Sequence, residues 1–162
     1  MAKRIVTKIG DIFCVAVNDA HKCYFQYIAN DLTLLNSSTI RVFKRHYPID
    51  YNPDFNEIVK DEVSFYSHTV LSVGIRFGYW EKVGKSRDVG DINKAIFRIF
   101  EEIEFKNLSK SVRWSVWKIN QPMVFIGGLT EDYQTAEVGM VFPCTEIVHK
   151  IRTGDYKTKF PE

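Results

Sequence analysis

No stretch of this chain is apolar for long enough to span a membrane, and no stretch spells out a catalytic motif. A spanning helix needs about 18 apolar residues in a row, and no run approaches that. The opening Met1-Ala2-Lys3-Arg4-Ile5-Val6-Thr7-Lys8 carries charge but no apolar h-region behind it, so it does not read as a signal peptide. Cysteine is scarce: Cys14, Cys23 and Cys144 are odd in number and form no CxxC pair. They read as reduced thiols in a cytoplasmic protein. Charge of one sign is lacking too. Twenty-two basic side chains against 20 acidic ones leave a net charge of +2, which gives no strong reason to expect nucleic acid or a membrane surface as partner.

Ligand-binding and catalytic signatures are equally sparse. His21, His46, His68 and His149 form no HxH, no HExxH and no cysteine–histidine pair at zinc spacing, so no metal is expected. Gly127-Gly128 is not followed by Lys-Ser or Lys-Thr, which excludes a phosphate loop, and no cofactor is expected. Ser67-His68 and the Asp88/Asp91 pair lack partners at fixed spacing.

What the chain has is apolar residues at 45% and aromatics at 14%, enough for a core in one domain spanning residues 1–162. Lys8-Ile9-Gly10-Asp11-Ile12-Phe13-Cys14-Val15 reads as a glycine turn feeding an apolar strand. Residues 10–17 and 22–30 form a hairpin around Asn18-Asp19-Ala20-His21. With Val17 opposite Lys22, one face holds Ile12, Cys14, Ala16, Cys23, Phe25 and Tyr27. The other holds Phe13, Val15, Val17, Tyr24 and Ile28. An exposed antiparallel face alternates with polar residues, so either both faces are covered or one is an uncovered apolar patch. On the second view Phe13, Val15 and Tyr24 are candidate protein-binding residues.

Asn36-Ser37-Ser38 turns into a strand at Thr39–Phe43. Residues 46–56 form a loop, and Asp54 caps a short helical turn through Val59. Leu71, Val73, Ile75, Phe77 and Tyr79 alternate with Ser72, Gly74, Arg76 and Gly78, the cleanest period-two pattern in the chain. It predicts a strand with Phe77 in the core and the two glycines marking a bulge or a close approach. Residues 91–107 mix helical spacing with strand composition, with Asp91 as a possible cap, and lean to an extended segment. Val112–Ile119 and Met123–Ile126 form a second hairpin around Asn120-Gln121-Pro122. Pro143–Arg152 is a helix with Ile147, Val148 and Ile151 buried, Glu146 and Lys150 paired, and Gly154 as its stop.

Two clusters invite a chemical reading. Cys144 at a helix start feels the positive end of the dipole, which favours a thiolate and a cysteine-dependent enzyme. His149 lies five residues on, turned about 140° away, so the two form no dyad within the helix. Cys144 is expected to be structural. Cys14 and Cys23, on one hairpin face, are diagonal and ill placed for a disulfide. Arg41-Val42-Phe43-Lys44-Arg45-His46-Tyr47 interleaves basic and aromatic residues, so Arg41, Lys44 and Arg45 are candidates for binding a protein or, as an alternative, a nucleic acid. Glu101-Glu102-Ile103-Glu104 is the acidic counterpart.

Gly10-Asp11-Ile12-Phe13, the return strand Cys23-Tyr24-Phe25-Gln26-Tyr27, and Trp80-Glu81-Lys82-Val83-Gly84 resemble the bacterial polymorphic-toxin immunity family numbered 26. The segment 137–152, running into a helix, is similar in layout. The turn Asn18-Asp19-Ala20-His21-Lys22 departs from the family's glycine-containing version. The resemblance implies a non-enzymatic protein that binds and neutralises a toxin. It carries over no catalytic residues.

The expected architecture is α+β, mostly antiparallel β with an SH3-like curled sheet and a C-terminal helix. The expected function is immunity-type protein binding. The alternatives are an SH3-like nucleic-acid module and a cysteine-dependent enzyme.

Overall fold

Gly10 starts the fold with its backbone in the left-handed region, at φ 104°. Its N–H donates to the Tyr27 carbonyl at 2.8 Å, and a Cβ there would sit 2.6 Å from the Ser86 carbonyl oxygen. No side chain fits that contact. Asp11 fixes the same turn by accepting the Lys8 N–H at 2.8 Å.

The computed structural model describes residues 3–101 and 109–162. Its strands are β1 (Asp11–Ala16), β2 (His21–Asp31), β3 (Ser37–Phe43), β4 (Tyr47–Pro48), β5 (Val63–Thr69), β6 (Glu81–Lys85), β7 (Ile96–Phe100), β8 (Trp114–Lys118), β9 (Val124–Gly127), β10 (Glu137–Val138) and β11 (Val141–Phe142). The α-helices are α1 (Phe55–Ile58), α2 (Leu71–Arg76) and α3 (Cys144–Thr153). One sheet runs β11-β5-β3-β2-β1-β6, with β4 added to β2, and the other runs β10-β7-β8-β9. The β11–β5 and β10–β7 pairs are parallel and the rest antiparallel.

Both sheets are open. The expected SH3-like curled sheet is not formed, because β6 and β11 end the first sheet as edges and never meet. The α+β class and the C-terminal helix stand.

The first sheet is buried on both faces. Phe13, Val15, Phe25 and Tyr27 pack with Leu71, Trp80, Ile147 and Ile151 on the face covered by α2 and α3. Ile12, Tyr24 and Phe43 meet Tyr47 and Ile58 on the other. Ile28 and Ala29, further along β2, pack against Phe97 and Trp117 of the second sheet. Both faces of the doubly apolar hairpin are therefore covered, and neither is an exposed apolar patch.

The β1–β2 register is one residue away from the expected pairing. Ala16, not Val17, faces Lys22, and Cys14 faces Tyr24. Asn18 sets this turn, its Oδ1 accepting the N–H groups of Ala20 and His21 at 2.8 Å each. A one-residue slip flips every side chain. Phe13 and Val15 thus share a face with Cys23 and Phe25, while Tyr24 lies on the opposite face with Ile12.

The strand expected over 71–79 is a helix followed by a turn. β3 and β11 flank the preceding strand, β5, so this segment does not return along it as a hairpin. Instead the Trp80 indole donates to the Leu71 carbonyl at 3.0 Å, and its ring lies where a Cβ on Gly74 would be, only 2.0 Å away. The close approach marked by Gly74 is to an aromatic ring. Leu71 is buried, Val73 and Ile75 are half-buried, and Phe77 is 69% exposed, not in the core.

Other expectations stand. Asp54 caps α1, its carboxylate accepting from Asn56 and Glu57. Asp91 caps a single helical turn before β7, while residues 102–108 lie outside the described residues. β8 and β9 form the second hairpin. α3 starts after Pro143 and stops at Gly154, φ 93°. The Glu146–Lys150 pair is not made. Lys150 Nζ lies 3.5 Å from Glu137, over the Tyr156 ring, and Glu146 accepts the N–H groups of Lys157 and Thr158.

Candidate functional site

The residues singled out from the sequence do not assemble into one surface. Phe13, Val15 and Tyr24 are core residues with 0–1% exposure. Residues 46–56 fold over Tyr24, bringing Tyr47 edge-on at 5.4 Å between centroids. Arg41 is buried, with Nε donating to Gln26 Oε1 at 3.0 Å and Nη2 donating to the Asp88 carbonyl at 2.9 Å. Burial lowers its pKa. This guanidinium ties β3 to β2 and to the loop after β6. Lys44 pairs with Glu62 at 3.0 Å, and Arg45 stacks over Tyr47 at 4.8 Å. The basic-aromatic run is thus divided between core and surface.

The cysteines are free thiols. Cys14 and Cys23 lie on opposite faces of β1–β2, not the one face expected from the slipped register. Burial, and then the neighbouring Cys14, pushes the Cys23 thiol up to about 12. Cys144 is buried at the start of α3, packed with Ile147 and Val148. His149 is half-buried and bonded to the Asp155 carbonyl. His68 packs on Phe97, on the far side of the sheet from Cys144.

His68 belongs to a buried polar knot between the sheets. Asp31 Oδ2 accepts from His68 Nε2 and Trp117 Nε1, each at 2.9 Å, while Oδ1 accepts the N–H groups of Asn120 and Thr33. Burial opposes the carboxylate charge. The hydrogen bonds from His68, Asn120 and Trp117 overcome it and hold the Asp31 pKa down at about 2. Among the described residues, no cluster of His, Cys, Asp and Glu fits a metal ion.

Two exposed features escaped sequence reasoning. One lies at the end of the molecule where the β2–β3 and β8–β9 turns meet. The Leu32 N–H donates to Asn120 Oδ1 at 2.7 Å and Thr33 Oγ1 donates to the Gln121 carbonyl at 2.6 Å. Leu32, Leu35, Met123, Val124 and Phe125 are all exposed there. Leu35 is 85% exposed and is held at φ 58°, a left-handed conformation that leucine disfavours. The other is a basic cleft beside β6. The Glu-Lys-Val-Gly-Lys-Ser-Arg run at 81–87 was its one sequence signal.

Compared with known proteins, the chain matches no family model, no curated sequence and no solved structure. Among the described residues no helix is long and apolar enough to cross a membrane.

Proposed function

We propose that this chain is a non-enzymatic protein-binding domain that docks its partner on β9 and the adjoining turns. The carrying observation is the β9 edge itself. Val124 and Phe125 are consecutive, so they point to opposite faces of the sheet, and they are 58% and 64% exposed. Among the described residues β9 pairs only with β8, which leaves its outer row of backbone groups open to a strand. Its sequence, Val-Phe-Ile-Gly, carries none of the charges that protect edges, whereas β6 at the other sheet's edge reads Glu-Lys-Val-Gly-Lys. The partner strand would pair with β9 and set apolar side chains on Phe125 and Met123. Leu35 adds an apolar contact at the cost of local backbone strain, a combination found where function demands it.

The class of partner rests on the resemblance of the Gly10–Phe13, Cys23–Tyr27 and Trp80–Gly84 segments. On that basis the protein is an immunity-type binder of a bacterial toxin. The first partner to try is the product of a toxin-like reading frame beside this chain's gene. Titration calorimetry should show one-to-one binding. Phe125→Asp should weaken it by about 2 kcal/mol or more, as loss of an aromatic anchor does. A folded Phe125→Asp protein with unaltered affinity would remove β9 from the interface. Absence of any binding to that product would sink the immunity reading.

A further inference from the structure

We propose a second docking site, for an acidic polypeptide segment, in the cleft between the N-terminal segment and β6. It stands independently of the β9 surface. The cleft has a volume of about 610 Å³ and is lined by Val6, Lys8, Ile9, Lys82, Lys85 and Arg87, with the Gly10-Asp11 turn at its base. Lys8, Lys85 and Arg87 make no ion pair among the described residues. Among the described residues Asp11 is the one carboxylate in the lining, and Lys82 already pairs with it at 3.0 Å. Three free cations therefore line a concave surface in a chain whose whole net charge is +2.

A β-bulge gathers this charge. Lys82 and Lys85 are three residues apart, which in a regular strand puts them on opposite faces. The pairing shifts so that Lys82 faces Phe13 and Lys85 faces Asp11. Phe13 and Asp11 are two apart and share a face, so both lysines do as well. Re-aiming side chains at an edge is a recurrent use of bulges.

The chemistry of the cleft selects its occupant. A second copy that set its own cleft against this one would bring lysine against lysine. A single-stranded nucleic acid stacks its bases on aromatic rings, and the lining has none; Val6 and Ile9 are aliphatic and more than half exposed. Among the described residues β6 ends its sheet, so it offers backbone donors and acceptors that an extended peptide can pair with. Carboxylates on that peptide would meet Lys8, Lys85 and Arg87, and apolar residues would cover Val6 and Ile9. Such charge complementarity speeds encounter and fixes register.

The test uses the full chain and a short labelled peptide alternating Glu and Val, with an oligothymidylate of equal charge beside it, followed by fluorescence anisotropy. The peptide should bind saturably at low salt and weaken as salt rises. Lys85→Glu/Arg87→Glu should weaken it by about tenfold, the sum of several exposed ion pairs. Lys82 stays in place because it neutralises buried Asp11. Should the double reversal fail to fold, Lys85→Ala/Arg87→Ala gives the same readout. The distant reversal Lys157→Glu/Lys159→Glu and the variant Phe125→Asp should bind the peptide as the wild type does, so failure here is separable from failure at β9. No peptide binding at low salt overturns the proposal, as do equal losses in the near and distant reversals. Tighter binding of the oligothymidylate overturns it in favour of a nucleic-acid site.

Discussion

The Nε2 of His68 lies 2.9 Å from Oδ2 of Asp31, and both side chains have no solvent exposure. An ionised carboxylate only accepts, so Nε2 donates to Oδ2, while Nδ1 has no hydrogen-bond partner among the described residues. Asp31 ends β2, His68 is near the end of β5, and Trp117 on the same carboxylate belongs to β8. The single carboxylate joins the two sheets.

Asp31→Asn should therefore cost about 3 kcal/mol, because it removes a buried charge from four N–H donors and turns an NH2 group toward two of them. Urea denaturation with an unchanged slope would measure it. A loss near zero would mean the sheets are held by apolar contact alone.

Stability should also fall in acid. The Asp31 carboxyl has a folded pKa of about 2 against an ordinary 3.8. A depressed pKa contributes stability that is present above the ordinary value and lost as pH drops toward the folded one. The window is thus between pH 3.8 and about 2, with a loss of about 2 kcal/mol. Asp31→Asn should flatten that part of the pH profile. An unchanged profile would assign acid sensitivity elsewhere.

Tyr24 separates core from surface. Its ring is buried against Tyr47, and its hydroxyl has no hydrogen-bond partner among the described residues. Tyr24→Ala should cost about 3–5 kcal/mol, as large aromatic truncations do. Tyr24→Phe should be neutral or raise the melting temperature, since it deletes a buried polar group that bonds to nothing. A melting temperature unmoved by Tyr24→Ala would contradict this packing.

Leu35→Gly should stabilise the fold by about 1 kcal/mol by relieving a left-handed leucine, and should weaken partner binding. Thermal melts and calorimetry together test it. Stabilisation with full affinity would leave the strain without a binding role.

Phe77→Ala should change stability by no more than about 0.5 kcal/mol, because the ring is exposed after α2. A loss of several kcal/mol would put Phe77 back in a core.

Much of the local structure was legible in the residues. Gly10 with its positive φ, the Asp54 and Asp91 caps, the Asn120-Gln121-Pro122 hairpin and the Pro143-to-Gly154 helix are set by backbone sterics and by side chains bonding nearby N–H groups. Such signals act over a few residues and need no tertiary partner. The doubly apolar β1–β2 hairpin likewise stated that something must cover both faces.

Tertiary structure decided the rest. The 71–79 alternation suits a strand and also a short helix, and the Trp80 ring on Gly74 settled which. Hairpin register turned on one residue in the Asn18 turn and moved Tyr24 to the other face. The SH3-like closure failed because strand order, a matter of distant pairing, leaves β6 and β11 as edges. Of the candidate site residues, Arg41 was drawn inside by Gln26 and Asp88, far from it in sequence. The cleft cations were invisible because Lys8 joins Lys82, Lys85 and Arg87 only through the β1–β6 pairing and its bulge. Local sterics are written along the chain, whereas exposure and charge clustering depend on which distant segments meet.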